Sequence, residues 1–186
     1  MSDSRQKLSS LTVTLHWIVG LTVIGMLALG FYMATTRTRS LWDLHKSIGI
    51  LIFVVILVRV VWRIRNGWPQ PLGMYQRIER NLAQLVHWTL IIGTVVMPIS
   101  GMVSSLAGGN ELSVFGLQLI ADNPDPSGKL RVLPYSKFMH EFVQDIHATV
   151  GWVLVVAITL HVSGALKHHF LDRDGTLRRM LGAKVD

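Results

Sequence analysis

The chain has no cysteine among its 186 residues, and this absence removes several kinds of site at once. Without thiols there are no structural disulfides, no iron–sulfur clusters and no thiolate zinc sites. The pattern Cys-x-x-Cys-His is absent too, which excludes covalent attachment of a c-type haem. Any metal or redox centre must be held by other side chains, and the eight histidines are the first candidates.

Charge is scarce, and acidic charge is the scarcer kind. Only 16% of the residues are charged while 50% are hydrophobic, and the mean hydropathy is +0.42. With its apolar residues gathered in long runs, the chain is too apolar for a soluble domain of this size. The net charge of +7 is typical of basic cytoplasmic loops in a membrane protein. We therefore expect contact with membrane lipid and no nucleic-acid partner.

Four apolar stretches are each about 20 residues or longer, enough to cross a bilayer as helices. They cover residues 11–33, 44–64, 82–106 and 141–170, and Pro98 should kink the third. Tryptophans near their ends fit the aromatic belts of a membrane interface. The sequence predicts an all-α membrane protein, a four transmembrane helix bundle forming one domain over residues 1–186.

Basic residues set the expected orientation. The N-terminus, the second loop and the C-terminal tail, with the adjoining helix ends, hold 12 of the 18 Lys and Arg. The first and third loops hold the other six, which are Arg37, Arg39, Lys46, Lys129, Arg131 and Lys137. Because cytoplasmic loops carry the excess of Lys and Arg, both termini are predicted to be cytoplasmic.

The third loop is long, covering about residues 107–140. Turn-forming residues at 108–110 and 123–126 flank the stretch 111–120. We expect a short surface element there, covering the outer end of the bundle.

Two histidines, His147 and His161, lie 14 residues apart on the fourth predicted helix. At about 100° per residue they leave nearly the same helix face, roughly 21 Å apart along the axis. The bilayer core is about 30 Å thick, so one imidazole lies towards each leaflet. Ionisable side chains at membrane depth are costly, which makes both rings functional candidates.

Depth sorts the histidines between the two leaflets. Those towards the cytoplasm are His16, His87 and His161, and those towards the outside are His45 and His147. His140 lies just beyond the outer pair and is interpreted as a loop residue. His168 and His169 end the fourth helix, where contacts with the helix dipole or with lipid headgroups are the alternative to a functional role. Facing histidines at two depths indicate two bis-histidine haems stacked inside a four-helix bundle.

Small residues distinguish four of these histidines from the rest. A porphyrin needs space near the ligating turn, and residues i and i+4 share one helix face. The i+4 positions after His16, His45, His147 and His161 hold Gly20, Gly49, Gly151 and Ala165. Glycine also allows close helix packing in membranes, so the pattern supports ligation without proving it.

The pattern leads us to pair His16 with His161 on the inner haem and His45 with His147 on the outer one. His87 remains open, because it can replace His16 as a ligand or serve a quinone. Zinc is disfavoured, because a tetrahedral site wants three or four close ligands and no Asp or Glu lies mid-span.

Several segments together resemble the bacterial cytochrome b561 family. They are 14–17, 43–49, 57–63 and 97–101, then His147, and finally the stretch from His161 through 168–170 to 177–180. The likeness covers nearly the whole chain in order, and it is loosest in the third loop. It implies haem b as cofactor, with the four paired histidines on the ligand positions, and a bacterial inner-membrane location.

The resemblance also implies an activity, the oxidation of superoxide or another periplasmic electron donor and the reduction of ubiquinone. A basic outer mouth would raise the encounter rate with an anionic donor. Quinone reduction needs a protonatable side chain, and His168 or His87 can supply it if the site is cytoplasmic. Two alternatives stay open: a non-catalytic dihaem subunit that docks a partner dehydrogenase or hydrogenase, and a haem-free protein whose histidines move protons or bind metal.

Overall fold

The computed structural model describes residues 3–69, 71–73 and 75–185, and helices dominate it. The four long helices are α1 (Ser10–Thr36), α2 (Trp42–Asn66), α3 (Arg77–Ala107) and α4 (Lys137–Lys167). A 3-10 turn (Arg39–Leu41) precedes α2, a π-helical turn (His168–Asp172) continues α4, and the short helix α5 (Thr176–Met180) follows. This order confirms the four helices expected from the sequence.

Local chemistry explains where the long helices begin and end. Ser9 caps α1 by accepting the Thr12 N–H, and Ser136 caps α4 by accepting the Met139 N–H. α1 ends at Thr36, and the next residue, Arg37, adopts a left-handed conformation. α2 ends at Gly67, whose φ of 70° is one that glycine adopts without strain. The helix α3 continues through Pro98 and starts five residues before the apolar run, because its first turns are polar but still helix-forming.

All four long helices are long and apolar enough to cross a membrane. Few of the large apolar side chains along them are buried, and many are exposed, including Leu21, Ile92 and Val156. Such a surface is unsuited to water and suited to lipid tails. The chain is thus an integral membrane protein, and the side of the membrane on which its termini lie remains a prediction.

The helices pack unevenly. The helices α3 and α4 lie closest, because Gly93 admits the fully buried Leu154: a Cβ at position 93 would lie 2.7 Å from Leu154 Cδ2. A small buried cluster of Val19, Ile52 and Ile56 joins α1 to α2. Among the described residues, the α4 backbone approaches α1 and α2 at few points. The space between α4 and these two helices is therefore bridged by side chains.

One small hairpin interrupts the otherwise helical fold, in the loop where a short surface element was expected. Strands β1 (Leu112–Val114) and β2 (Leu117–Ile120) pair antiparallel. The buried Ser47 hydroxyl of α2 accepts the Phe115 N–H at 2.9 Å, which ties the hairpin to the start of α2. The helix α4 begins at Lys137, so His140 lies in a helix and its interpretation as a loop residue was wrong.

At the opposite end the two termini meet. Asp3 Oδ1 accepts the Ser9 N–H at 2.8 Å, and Asp3 Oδ2 lies 3.3 Å from Arg63 Nη1 of α2. The Val185 N–H donates to the Gln6 carbonyl at 3.0 Å. These bonds hold both chain ends against the bundle.

Candidate functional site

Two pairs of histidine rings face each other across the gaps beside α4. His16 of α1 and His161 of α4 have ring centroids 6.1 Å apart. His45 of α2 and His147 of α4 have centroids 6.4 Å apart. These are the two pairs inferred from depth and small neighbours. They join helices whose backbones otherwise stay apart.

The two centroid distances can be compared with the distance expected for two imidazole rings that bind one iron from opposite sides. The ring centres would then lie roughly 6 Å apart, since each metal–nitrogen bond is about 2 Å and each nitrogen is about 1 Å from its ring centre. Both pairs match this distance. Among the residues that the structure describes, no three His, Asp or Glu side chains converge as a metal-ion site. The arrangement fits two-coordinate axial ligation better than a tetrahedral zinc site.

Hydrogen bonds hold the His147 ring in one orientation. Its Nδ1 lies 3.0 Å from the Met97 carbonyl oxygen and 3.0 Å from Ser100 Oγ. A carbonyl only accepts, so Nδ1 carries the proton and donates it to Met97, which leaves Nε2 with a free lone pair. Metal-ligating histidines are commonly held in this way. Gly101 makes room for the ring, since a Cβ there would lie 3.2 Å from His147 Cε1.

The His45 ring is held by packing. Gly30 of α1 lies beside it, and a Cβ at that position would be 3.4 Å from His45 Cε1. Its Nδ1 is buried and has no hydrogen-bond partner among the described residues. A buried unpaired polar nitrogen costs about 1–3 kcal/mol. A metal bond at this nitrogen itself would offset that cost, so the orphaned Nδ1 fits a metal ligand.

The small i+4 residues differ in what surrounds them. At Gly20 no neighbouring atom lies within 4 Å of where a Cβ would stand, so there is open space on the turn after His16. At Gly49 the nearest atom is Met26 Cε at 3.8 Å, and at Gly151 it is Met97 Cε at 3.4 Å. Gly20 therefore provides room beside the inner pair, whereas Gly151 also serves helix packing.

The structure places His87 next to the inner pair. Its ring centroid lies 5.3 Å from that of His161, with the rings inclined at 67°. This spacing is shorter than the roughly 6 Å derived above, and the His87 side chain is the more exposed. Both facts favour His16 as the partner of His161. His140 takes no part, because no second histidine ring faces it among the described residues; its Nδ1 donates to the Ser104 carbonyl at 2.8 Å.

His168 belongs to a polar cluster at the end of α4. Its Nδ1 lies 2.7 Å from Asp172 Oδ2, and its ring centroid is 4.5 Å from that of Tyr75. The Tyr75 hydroxyl donates to Asp174 Oδ2. Burial opposes ionisation of Asp174, but hydrogen bonds from Tyr75 and the Thr176 N–H outweigh it and hold the pKa of Asp174 below its usual value. Burial, followed by the bond to Asp174, raises the pKa of Tyr75.

An open cleft of about 450 Å³ lies beside this cluster. Its lining residues come from the second loop and from the ends of α3 and α4: Gly73, Tyr75, Gln76, Glu79, Lys167, Asp172 and Asp174. Lys167 Nζ forms an ion pair with Glu79, which joins the ends of α4 and α3, and a second with Asp172 in the turn that continues α4. The cleft is therefore polar and has titratable groups on its wall.

A bundle of four membrane-crossing helices with two histidine pairs across its gaps is typical of a membrane-embedded b-type cytochrome. Comparison with known proteins agrees: the chain belongs to the prokaryotic cytochrome b561 family, whose model matches residues 7–183. It is thus a member of a haem b-binding family of transmembrane electron-transfer proteins. The resemblance inferred from the motifs is confirmed.

Three relatives match over nearly their whole lengths. "Cytochrome b561 homolog 2" of Escherichia coli (strain K12) is 34% identical over 97% of this chain and 94% of its own. "Cytochrome b561 homolog 1" of the same organism is 25% identical over 94% and 97%. "Probable superoxide oxidase CybB" of Yersinia pestis is 25% identical over 96% and 98%.

Sequence reasoning missed several residues around the pairs. Gly30 and Gly101 lie across a helix interface from the rings that they accommodate, so no spacing along their own helices connects them to a histidine. The Met97 carbonyl is a backbone group and leaves no side-chain signal. The Tyr75–Asp174 bond joins residues 99 positions apart, which only the fold brings together.

Proposed function

We propose that the chain carries single electrons across the membrane through two b haems, one held by His16 and His161 and the other by His45 and His147. The observation that supports this most directly is the shared helix α4. It contributes one ring to each pair, and those two rings are separated by 14 residues, or roughly 21 Å. Two centres at that spacing span most of a bilayer core about 30 Å thick.

A haem with two imidazole ligands supplies one-electron chemistry and has no open iron position for dioxygen. The chain's own groups then tune each site. The bond from His147 to the Met97 carbonyl fixes the ring and raises the basicity of its free nitrogen. His45 lacks a comparable bond among the described residues. The two outer ligands therefore differ as electron donors.

We propose superoxide as the donor and ubiquinone as the acceptor. Two superoxide anions each lose one electron to give dioxygen, and one ubiquinone gains two electrons and two protons. The name of the Yersinia pestis relative, probable superoxide oxidase, supports the donor. Superoxide gives up one electron and ubiquinone takes up two. A protein that passes electrons one at a time can therefore couple two superoxide anions to one ubiquinone.

Charge on the predicted outer side supports an anionic donor. Three of the six basic residues in the outer loops have neighbouring polar partners: Lys46, Arg131 and Lys137. The other three are exposed, and their side chains have no hydrogen bond or ion pair among the described residues: Arg37, Arg39 and Lys129. Exposed unpaired cations attract an anion over about one Debye length, roughly 8 Å at physiological salt.

We place the quinone in the cleft beside His168, on the predicted cytoplasmic side of a bacterial inner membrane. Asp172 Oδ2 accepts a hydrogen bond from the Nδ1 of His168 at 2.7 Å, which fixes the ring on the wall of the cleft. Tyr75 and Asp174 form a second proton-holding pair on the same wall. A quinone carbonyl here would lie near the Tyr75 hydroxyl and the His168 ring, and His168 is seven residues beyond His161 in the chain. His87, beside the inner histidine pair, is the alternative proton donor.

A second candidate is a non-catalytic subunit that docks a partner dehydrogenase or hydrogenase. The observation in its favour is the outer hairpin, where Phe115 and Leu117 are 65% and 68% exposed. Exposed apolar side chains in a loop are typical of contact sites. This candidate predicts that the outer haem is reduced only by a partner protein.

Two measurements test the proposal. Purified protein should contain two b haems per chain, and His161→Ala should lose only the inner haem while His147→Ala loses only the outer one. His140→Ala is the matched control, because that histidine is hydrogen-bonded within the bundle, and it should retain both haems. Full haem content in both ligand variants would refute the ligand assignment.

The donor is tested separately. Superoxide generated enzymatically should reduce the haems of the purified protein without any partner, and added ubiquinone should reoxidise them. Superoxide dismutase is the control and should abolish the reduction. Haems that superoxide leaves oxidised, and that a co-purified protein reduces, would favour the second candidate.

A further inference from the structure

The last turns of α2 carry three arginines, Arg59, Arg63 and Arg65. The structure explains how the charges of two of them are accommodated. Arg63 pairs with Asp3 and donates to the Gly67 carbonyl at 3.0 Å. Arg65 is exposed at the helix end. Arg59 is half-buried, and its side chain has no hydrogen bond and no anionic partner among the residues that the structure describes. Its charge is unexplained.

The position of Arg59 makes that charge costly. It lies seven residues before Asn66, the last residue of α2, which is about 10 Å inside the helix end. A cation at membrane depth is expensive unless an anion or water compensates it. Its charged and titratable neighbours are Arg63 and the rings of His16, His87 and His161, and none of these carries negative charge.

Among the residues that the structure describes, no carboxylate is left to compensate Arg59. Helix α1 has no Asp or Glu, and Asp43 in the first turn of α2 is at the far end of that helix. Asp3 is already bound to Arg63. At the depth of the inner histidine pair, the Arg59 side chain is therefore left without an anion among the described residues, and a bound group can supply one.

We propose that Arg59 binds a propionate carboxylate of the inner haem and raises the reduction potential of that haem. This inference rests on the proposed function, because it takes the His16–His161 pair as the ligands. Haem b carries two propionates, and a guanidinium binds a carboxylate through two parallel N–H donors. A fixed cation beside the porphyrin favours the reduced state, which carries one more electron. Arg59 is a positioning and tuning residue, not a catalytic one.

The test compares Arg59→Gln and Arg59→Lys with Arg65→Gln, a control on the same helix that lies outside the site. Resonance Raman spectra report the propionate bending band, and a redox titration of the α-band gives the midpoint potential of each haem. Arg59→Gln should shift the propionate band and lower the reduction equilibrium constant of the inner haem about tenfold, which is about 59 mV for one electron. The outer haem should be unchanged.

Arg59→Lys keeps the charge but loses the two-pronged geometry. It should therefore shift the propionate band and leave the inner potential near that of the unmodified protein. If Arg59→Gln fails to retain the inner haem, Arg59→Lys provides the test: a shifted propionate band supports the inference, and an unshifted band overturns it. The inference is overturned if the band and the inner potential match those of Arg65→Gln, whether the anion is then a lipid phosphate or another group.

These outcomes are separable from failure of the proposed function. If the unmodified protein holds no haem at the inner site, the proposed function fails before any Arg59 variant is made. If the unmodified protein holds two haems and the Arg59 variants behave like Arg65→Gln, only the inference on Arg59 fails.

Discussion

Replacing Gly101 by alanine tests whether the His147 ring occupies a fixed position. The new Cβ would lie 3.2 Å from His147 Cε1 and 3.4 Å from Nδ1, so one of the two groups must move by a few tenths of an ångström. Alanine is the better helix former by about 0.5–1 kcal/mol. Overpacking costs about 1–3 kcal/mol when the neighbour cannot yield. His147 is held by Met97 and Ser100, so overpacking should win and the net cost should be about 1–2 kcal/mol.

The assay is thermal unfolding in detergent, followed by the haem absorbance and read together with haem content. Gly101→Ala should lower the midpoint of unfolding and weaken or displace the outer haem, while the inner haem is retained. Gly25→Ala is the matched control, because no neighbouring atom lies within 4 Å of its added Cβ, and it should be neutral or slightly stabilising. If the two variants have equal stability and equal haem content, His147 is not held as the structure indicates.

Three further predictions follow from the geometry. His87→Ala should retain two haems by pyridine haemochrome assay, since the 5.3 Å spacing to His161 is short for a shared iron; loss of a haem would move the ligand role to His87. Asp3→Asn should cost about 1–2 kcal/mol at neutral pH. Burial opposes ionisation of Asp3, but hydrogen bonds from Ser9 and Thr12 and the charge of Arg63 outweigh it and lower the pKa of Asp3. The stabilisation by Asp3 is therefore complete above the usual carboxyl pKa and is lost as the pH falls through the lowered pKa of the folded protein. The unfolding curves of Asp3→Asn and the unmodified protein should then converge in acid. A difference that stays constant down to low pH would contradict this. Tyr75→Phe should slow ubiquinone reduction roughly tenfold, the worth of one hydrogen bond of about 1.4 kcal/mol, and leave superoxide-driven haem reduction unchanged; an unchanged quinone rate would place the quinone elsewhere.

The helices and the histidine pairs could be predicted because each leaves a periodic signal. Apolar runs of membrane length are conspicuous in a chain with 16% charged residues. His147 and His161 share a helix, so their common face follows from helix geometry alone. The depth of His16 and His45 followed from their positions near helix starts. These properties are local to one helix, and one sequence is enough to find them.

The surroundings of the pairs could not be predicted in the same way, because they depend on contacts between helices. Nothing in the sequence places Gly101 against His147 or Gly30 against His45, since those contacts depend on how the helices rotate about their axes. The hairpin was expected only as a short surface element. Its strands are three and four residues long and gain their position from the bond of Phe115 to Ser47. Strands this short are specified by tertiary contacts more than by propensity.

The helix α4 carries one ring of each histidine pair. The rotation of α4 about its axis therefore sets the direction of both rings at once. Deleting a single residue between positions 147 and 161 would turn one imidazole about 100° away from its partner while shortening the path by only about 1.5 Å. The length of this segment is thus constrained far more tightly than its composition. Its lipid-facing side chains can vary among apolar types, whereas its number of residues cannot change without separating the two rings of one pair.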